Sequence, residues 1–247
     1  MEIHQVKGKL VNSYIVCEDE KLFVVDVEYR GEKYVLGYID TILKRPITDV
    51  ELILCTHDDF DHIGGIRNLA KECQAKTALP YASGSIYHKL LNDPTGSAIR
   101  ATTAAQEMLK PRAWDMYANP KRYYEAKRKP IKLVESRLNH EERHRSPDFR
   151  LRNHDPLPFF PDWEVIHTPG HSWDSCCYFH SPTKSLITGD TLLGSAKKGR
   201  PVLPSIFSNQ IQLAISVKKL KKLNPEHIFP AHGSVLHGDH LLEKVHF

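Results

Sequence analysis

The sequence predicts an α/β protein of the αββα sandwich type: two mixed β-sheets with outer helices, interrupted by a basic, largely helical insertion. Three observations predict it. Two parts of the chain are rich in β signals, each is closed by helical spacing, and the stretch between them, residues 85–155, is poor in β signals and rich in charge. At 247 residues the chain is long enough to bury a substantial core. It reads as a single domain over 1–247 with 85–155 inserted as a lid-like segment, because that segment has too few large apolar residues to build its own core.

The elements follow in order. Residues 9–16 (KLVNSYIV) and 21–27 (KLFVVDV) are β-rich runs separated by the polar turn Glu18-Asp19-Glu20. Residues 38–43 suit a short helix ended by Pro46. Residues 51–55 (ELILC) are a continuous apolar strand of the kind buried on both faces. It stops at Thr56-His57, and after Gly64-Gly65 residues 66–73 resume with helical spacing. In the second half, residues 164–167, 175–179 and 185–188 read as three short strands. Ser208 is a plausible N-cap for a helix with apolar positions Ile211, Ala214, Ile215 and Leu223, ended by Asn224-Pro225. Residues 227–230 make a final strand. Within the insertion, Thr103 to Lys129 reads as helix broken at Pro111 and Pro120, and residues 135–152 as a solvated helix or loop.

Composition removes whole classes. With 40% apolar and 26% charged residues the chain is neither disordered nor fibrous. No apolar run approaches the roughly 20 residues that cross a bilayer. The first residues lack a basic stretch followed by a long apolar one, so a secretory signal is not expected, and five scattered cysteines suit reduced thiols in a cytoplasm. The net charge of +4 is mild, but residues 107–152 hold 13 Lys/Arg against 7 Asp/Glu. That local excess suits a solvated face, or an anionic carboxylate or phosphate ligand. The basic loop Ala196-Lys197-Lys198-Gly199-Arg200 poses the same choice, and Trp114, Tyr117, Tyr123 and Tyr124 could stack on a ligand or pack the lid down.

Fifteen histidines are the outlier, and their spacing carries the chemistry. In Thr56-His57-Asp58-Asp59-Phe60-Asp61-His62 four potential ligands (His57, Asp59, Asp61, His62) fall within six residues at the end of a buried strand. Three more follow at similar strand ends beside glycine: His171 in Thr168-Pro169-Gly170-His171, Asp190 in Thr188-Gly189-Asp190, and His232 in Ala231-His232-Gly233. Seven imidazoles and carboxylates from four strand ends fit a two-metal site with one bridging carboxylate.

This pattern resembles the metallo-β-lactamase-fold hydrolase superfamily, which includes glyoxalase II, lactonases and phosphodiesterases. The family's first motif is usually H-x-H-x-D-H; here it is H-x-D-x-D-H, with Asp59 in place of the middle histidine. Asp26 resembles the early strand aspartate near the family's site. The resemblance implies one ion on His57, Asp59 and His171, a second on Asp61, His62 and His232, and Asp190 between them. It implies two divalent ions, Zn²⁺ first, with Asp59 as a harder donor shifting preference towards Mn²⁺ or Fe²⁺. It also implies a hydrolase using a metal-bridged hydroxide, with Asp61 orienting it or carrying a proton to the leaving group.

Other histidines read as structural. His4, His88, His140, His144, His154, His180, His237, His240 and His246 are expected at the surface, and His167 packing a turn. Cys176 and Cys177 point to opposite faces of one strand, at least one into the core, and Asp58 faces solvent or caps the next helix. The leading functional expectation is hydrolysis of a small, anionic ester, thioester or lactone. The fifteen residues after His232 make a lactonase-like arrangement a better match than glyoxalase II. A phosphodiesterase or nuclease acting on nucleotides or nucleic acid is the alternative that the basic insertion motivates, and a degenerate, non-catalytic ligand- or partner-binding member is the second alternative.

Overall fold

The computed structural model describes residues 1–84, 87, 90, 91, 93–111, 113 and 146–245. The expectations placed on Trp114, Tyr117, Tyr123, Tyr124, His88, His140, His144 and His246, on the rest of the 103–129 helix and on residues 135–145 lie outside them. The chain divides into two compact units: Met1–Leu79 with the described residues of 117–150, and the described residues of 80–116 with Leu151 onward.

The first unit carries a six-stranded sheet in the order β1 (Glu2–Lys7), β2 (Asn12–Glu18), β3 (Lys21–Val25), β4 (Val50–Leu54), β5 (Lys76–Pro80) and β6 (Phe149–Leu151). The first three strands pair antiparallel, and β3, β4 and β5 run parallel. Parallel neighbours need helical crossovers. These are α1 (Glu32–Tyr38), running on into a π-helical turn at Ile39–Leu43, and α3 (Ile66–Cys73); the short α2 (Phe60–Ile63) precedes the latter. Tyr34, Val35 and Ile39 of the first crossover, and Ile66, Leu69 and Cys73 of α3, pack with Ile15, Leu22, Val24 and Ile53 of the sheet. Tyr14, Val16, Phe23, Val25, Leu52 and Leu54 alternate with these and are equally buried, so the central strands are covered on both faces.

Three differences from the expected layout are physical. Strand β1 carries no strand signal in its sequence, EIHQVK, because that sets one apolar residue against two polar ones, as suits a strand that pairs on one edge only. The run at 9–16 starts as a strand only at Asn12, because the amides of Lys9, Leu10 and Val11 bond the buried Glu28 carboxylate. The helix expected at 38–43 begins at Glu32.

The second unit carries a six-stranded sheet in the order β14 (Leu236–His237), β13 (His227–Pro230), β10 (Ser185–Gly189), β9 (Cys176–His180), β8 (Phe160–His167) and β7 (Pro156–Leu157), and a hairpin of β11 (Leu193–Ser195) and β12 (Arg200–Val202). The basic loop 196–200 is the exposed turn of that hairpin. Helices α4 (Pro94–Met108) and α5 (Gln210–Leu223) belong to this unit. Helix α4 starts at Pro94, ahead of the expected Thr103, because Asp93 caps it by accepting from the Gly96 amide and Pro94 suits the first turn. Residues 149–151, expected in a solvated helix or loop, are strand β6 of the first sheet.

Helix α5 corrects a register. Its N-cap is Asn209, whose side chain accepts from the Gln212 amide; Ser208 is buried one residue earlier and donates to the Gly170 carbonyl. The buried positions are Leu213, Ser216, Val217 and Leu220, while Ile211 and Ile215 face outward at 75% and 61% exposure. Asn224 ends the helix as expected, in a left-handed conformation. Val217 and Leu220 pack with Ile166, Cys177, Phe179, Leu186 and Ile228 of the sheet. Cys176 on the opposite face of β9 is buried as well, and none of the five cysteines is in a disulfide.

The two mixed sheets with their helices agree with the fold class expected from the sequence.

Candidate functional site

Strand β4 is completely buried from Leu52 to Cys55 and delivers Thr56 and His57 at its end. The chain then turns within two residues into α2, where the amides of His62 and Ile63 both donate to the Asp59 carbonyl. Two further bonds, Val27 N–H to the His62 carbonyl and Gly65 N–H to the Val27 carbonyl, tie this loop to the end of β3. Asp59 is the N-cap residue of α2, and Asp58, for which capping or solvent was expected, is half-buried.

Asp26 sits beside this loop with φ at 57° and 1% exposure. Its carboxylate accepts from the Thr56 amide at 2.8 Å and from the Thr56 hydroxyl at 3.0 Å, and His62 Nδ1 lies 3.0 Å from its Oδ2. A carboxylate only accepts, so His62 Nδ1 carries the proton and Nε2 the lone pair. The single hydrogen of the Thr56 hydroxyl is donated in the bond to Asp26, and its oxygen therefore accepts from His57 Nδ1 at 3.1 Å. His57 is thereby set in the same tautomer. Its Nε2 lies 3.2 Å from Asp59 Oδ2, His62 Nε2 lies 3.9 Å from Asp61 Oδ2, and the two rings are 4.0 Å apart. Donors about 2.1 Å from a tetrahedral ion stand about 3.4 Å from one another, so these separations suit a cation between them.

The second unit arranges its three candidates by strand direction. Strands β8, β10 and β13 point the same way, since β9 is antiparallel to both β8 and β10 and β13 is parallel to β10. Their C-terminal ends therefore deliver His171, Asp190 and His232 to one edge of the sheet. Glycine makes two of these turns feasible. Gly170 has φ of 140°, and a Cβ there would run into the Leu213 backbone; Gly233 has φ of 88°, and a Cβ there would run into the Gly194 carbonyl.

Asp190 addresses two imidazoles, one with each oxygen: Oδ2 is 3.5 Å from His171 Nε2 and Oδ1 is 3.4 Å from His232 Nε2. His171 Nδ1 donates to the Ile206 carbonyl at 2.8 Å, leaving its lone pair on Nε2. Arg100 of α4 reaches that nitrogen, with Nη2 at 2.9 Å. Burial pulls the Arg100 guanidinium below its ordinary pKa, against the opposing pull of Asp174 and Asp190. Asp174, fully buried, accepts from the hydroxyls of Ser83 at 2.7 Å and Ser172 at 2.9 Å.

Neutral imidazoles presenting Nε2 and carboxylates at these spacings are a donor set that fits divalent cations. Orientation from behind, by Asp26, Thr56 and the Ile206 carbonyl, is how ligating histidines are ordinarily held. Thr56, Arg100, Asp174 and Ile206 were not singled out from the sequence. Thr56 adjoins the motif and Asp174 lies three residues after His171, but nothing in the spacing marks Arg100. Of the remaining histidines, His167 packs its turn, with Nε2 3.0 Å from the Trp173 carbonyl. His180, expected at the surface, is buried against Trp163 with Nδ1 2.8 Å from the Thr183 hydroxyl.

Residues 6–232 match the family model described as the metallo-beta-lactamase superfamily. The chain belongs to that superfamily. A beta-lactamase-like protein 2 homolog from Caenorhabditis elegans is 24% identical over 237 residues, 95% of this chain and 59% of that protein. The chain thus spans about three fifths of the length of such relatives. An atrochrysone carboxyl ACP thioesterase from Aspergillus fumigatus is 32% identical over 72 residues, 29% of this chain and 15% of that one. Among solved structures, a metallo-beta-lactamase family protein from Thermus thermophilus superposes with a TM-score of 0.61 at 19% identity, covering 98% of this chain and 77% of that one. A protein crystallised in a di-iron-bound form gives 0.54 at 21% identity, covering 96% and 94%. These likenesses carry the metallo-beta-lactamase fold.

Proposed function

We propose that the chain is a metal-dependent hydrolase of a small, anionic ester, thioester or lactone. The observation that carries the reading is that His57, His62 and His171 each have Nδ1 held from behind, which puts the lone pair on Nε2. In this reading His57, Asp59 and His171 would hold one ion and Asp61, His62 and His232 a second, with Asp190 as the carboxylate common to both. Divalent ions so held supply Lewis acidity and lower the pKa of bound water towards neutrality.

The rest is done by the chain's own groups. Asp26 keeps His62 in one tautomer, and Thr56 does the same for His57. Asp61, 20% exposed and beside His62, is the carboxylate placed to hold a proton and pass it to a leaving group. Asp59 brings a harder oxygen donor than imidazole, which favours iron or manganese beside zinc; the di-iron form of a relative of the same fold supports that breadth. The local match to a fungal acyl-carrier thioesterase supports thioesters first among the substrates. A cytoplasmic setting with reduced thiols agrees with five cysteines outside any disulfide; among the described residues no helix is long and apolar enough to cross a membrane.

The test is a hydrolysis screen of the full chain with Zn²⁺, Mn²⁺ or Fe²⁺, offering acyl thioesters, lactones, carboxylate esters and phosphodiesters. Turnover of a thioester, ester or lactone that is lost in His62→Ala bears the proposal out. Turnover of phosphodiesters alone would replace the substrate class with the nuclease alternative. Two bound ions and no turnover of any class would leave a binding protein.

A further inference from the structure

Arg100 reaches a candidate ligand, yet the proposed hydrolase gives it no part. Its helix α4 is fixed by Thr103, whose hydroxyl donates to the Phe207 carbonyl and accepts from the Phe207 amide, both at 3.2 Å. The same segment holds His171: the Ile206 carbonyl takes its Nδ1 proton, and the Ser208 amide donates to its backbone carbonyl at 3.0 Å. One short stretch, residues 206–208, therefore sets both the helix that carries Arg100 and the imidazole it reaches. The Nη2 to Nε2 distance of 2.9 Å is an ordinary hydrogen bond, and the nitrogen that receives it has one lone pair.

We propose that Arg100 is a built-in competitor for the metal site: its guanidinium and a divalent ion compete for the single lone pair of His171 Nε2. The inference rests on the metal reading above. A lone pair that accepts an N–H cannot also coordinate an ion about 2.0–2.1 Å away, and two cations beside Asp190 repel one another in a buried setting. Loading therefore requires Arg100 to leave His171, and Asp174 gives it a carboxylate to turn towards. The guanidinium also has a positive role while it is in place, since it supplies charge beside Asp190 and Asp174 that would otherwise be buried with less compensation. Arg100 thus lowers ion affinity while supporting the protein without the ion.

The experiment compares wild type, Arg100→Met, Arg100→Gln and His171→Ala as full chains stripped with chelator. Zn²⁺ and Mn²⁺ are titrated in against a competing chromophoric chelator, and Tm is recorded with chelator and with excess ion. The ion lost in His171→Ala should bind about tenfold more tightly in Arg100→Met, the scale on which groups behind a ligand tune affinity. The ion retained in His171→Ala should change by no more than about threefold, the scatter expected of an indirect effect. Tm should fall in chelator and converge with wild type when ions are added. Arg100→Gln serves as the second uncharged variant where Arg100→Met does not fold. Unchanged or weaker ion binding in both variants overturns the inference, and so does an equal gain at both ions, which marks a general charge effect. A wild type that binds no ion overturns the metal reading and this inference together, whereas ion binding insensitive to Arg100 overturns the inference alone.

Discussion

Asp26 reaches two histidines through one buried carboxylate, directly to His62 and through the Thr56 hydroxyl to His57. Its left-handed φ of 57° is one that asparagine tolerates. Asp26→Asn is therefore the informative change: the backbone is kept, but the amide has a single acceptor oxygen to satisfy both Thr56 and His62. Ion affinity should fall about 10–100-fold, read by chelator competition, with little change in Tm of the stripped protein. An unchanged affinity would remove Asp26 from the site. At this scale the seven candidate ligands were legible because ligand chemistry needs particular side chains at tight spacing or beside turn glycines. Their supports were not. Thr56 and Ile206 act through a hydroxyl and a backbone carbonyl that any sequence offers in number, and Arg100 meets His171 from 71 residues away.

Helix α5 shows where reading by pattern stops. Ile211 and Ile215 lie four apart and Leu213, Val217 and Leu220 follow a second stripe, so apolar periodicity allows two faces. The choice is made by packing: all three residues of the second stripe are buried, Val217 and Leu220 against the sheet beneath. Leu213→Ala should cost about 2–5 kcal/mol, whereas Ile211→Lys and Ile215→Lys should each stay within about 0.5 kcal/mol, measured by denaturant unfolding. Asn209→Ala should cost about 1 kcal/mol for the lost cap. Strand β14 offers a pH-dependent counterpart. His237 pairs across the ladder with His227, Nδ1 to Nδ1 at 2.9 Å; burial and then the charge of His227 hold His237 below its ordinary 6.5. The unfolded chain then takes up the proton more readily. The stability this pair allows is complete above pH 6.5 and is lost as pH falls below it towards the lowered value. His237→Gln should flatten that decline in Tm, and an identical decline in the variant would assign it to other groups.

The metal reading proposed above sets a constraint on the whole molecule that neither unit displays by itself. The motif loop supplies four candidate ligands from the first unit and the strand ends supply three from the second. The proposed dinuclear centre needs both sets, so ion binding should stabilise the entire chain rather than one unit. An ion present at about a thousandfold over its Kd adds about 4 kcal/mol to a native state that alone binds it. For a chain of this size that is a rise in Tm of about 10 °C. Excess Zn²⁺ or Mn²⁺ should therefore raise one cooperative transition by about that amount over the chelator-treated protein. His62→Ala and His232→Ala should each cut the gain sharply, although the two residues lie in different units. Calorimetry decides between the alternatives. A gain confined to one of two resolved transitions, or a full gain retained in His232→Ala, would mean that the first unit binds its ion without the second, and the shared centre would have to be given up.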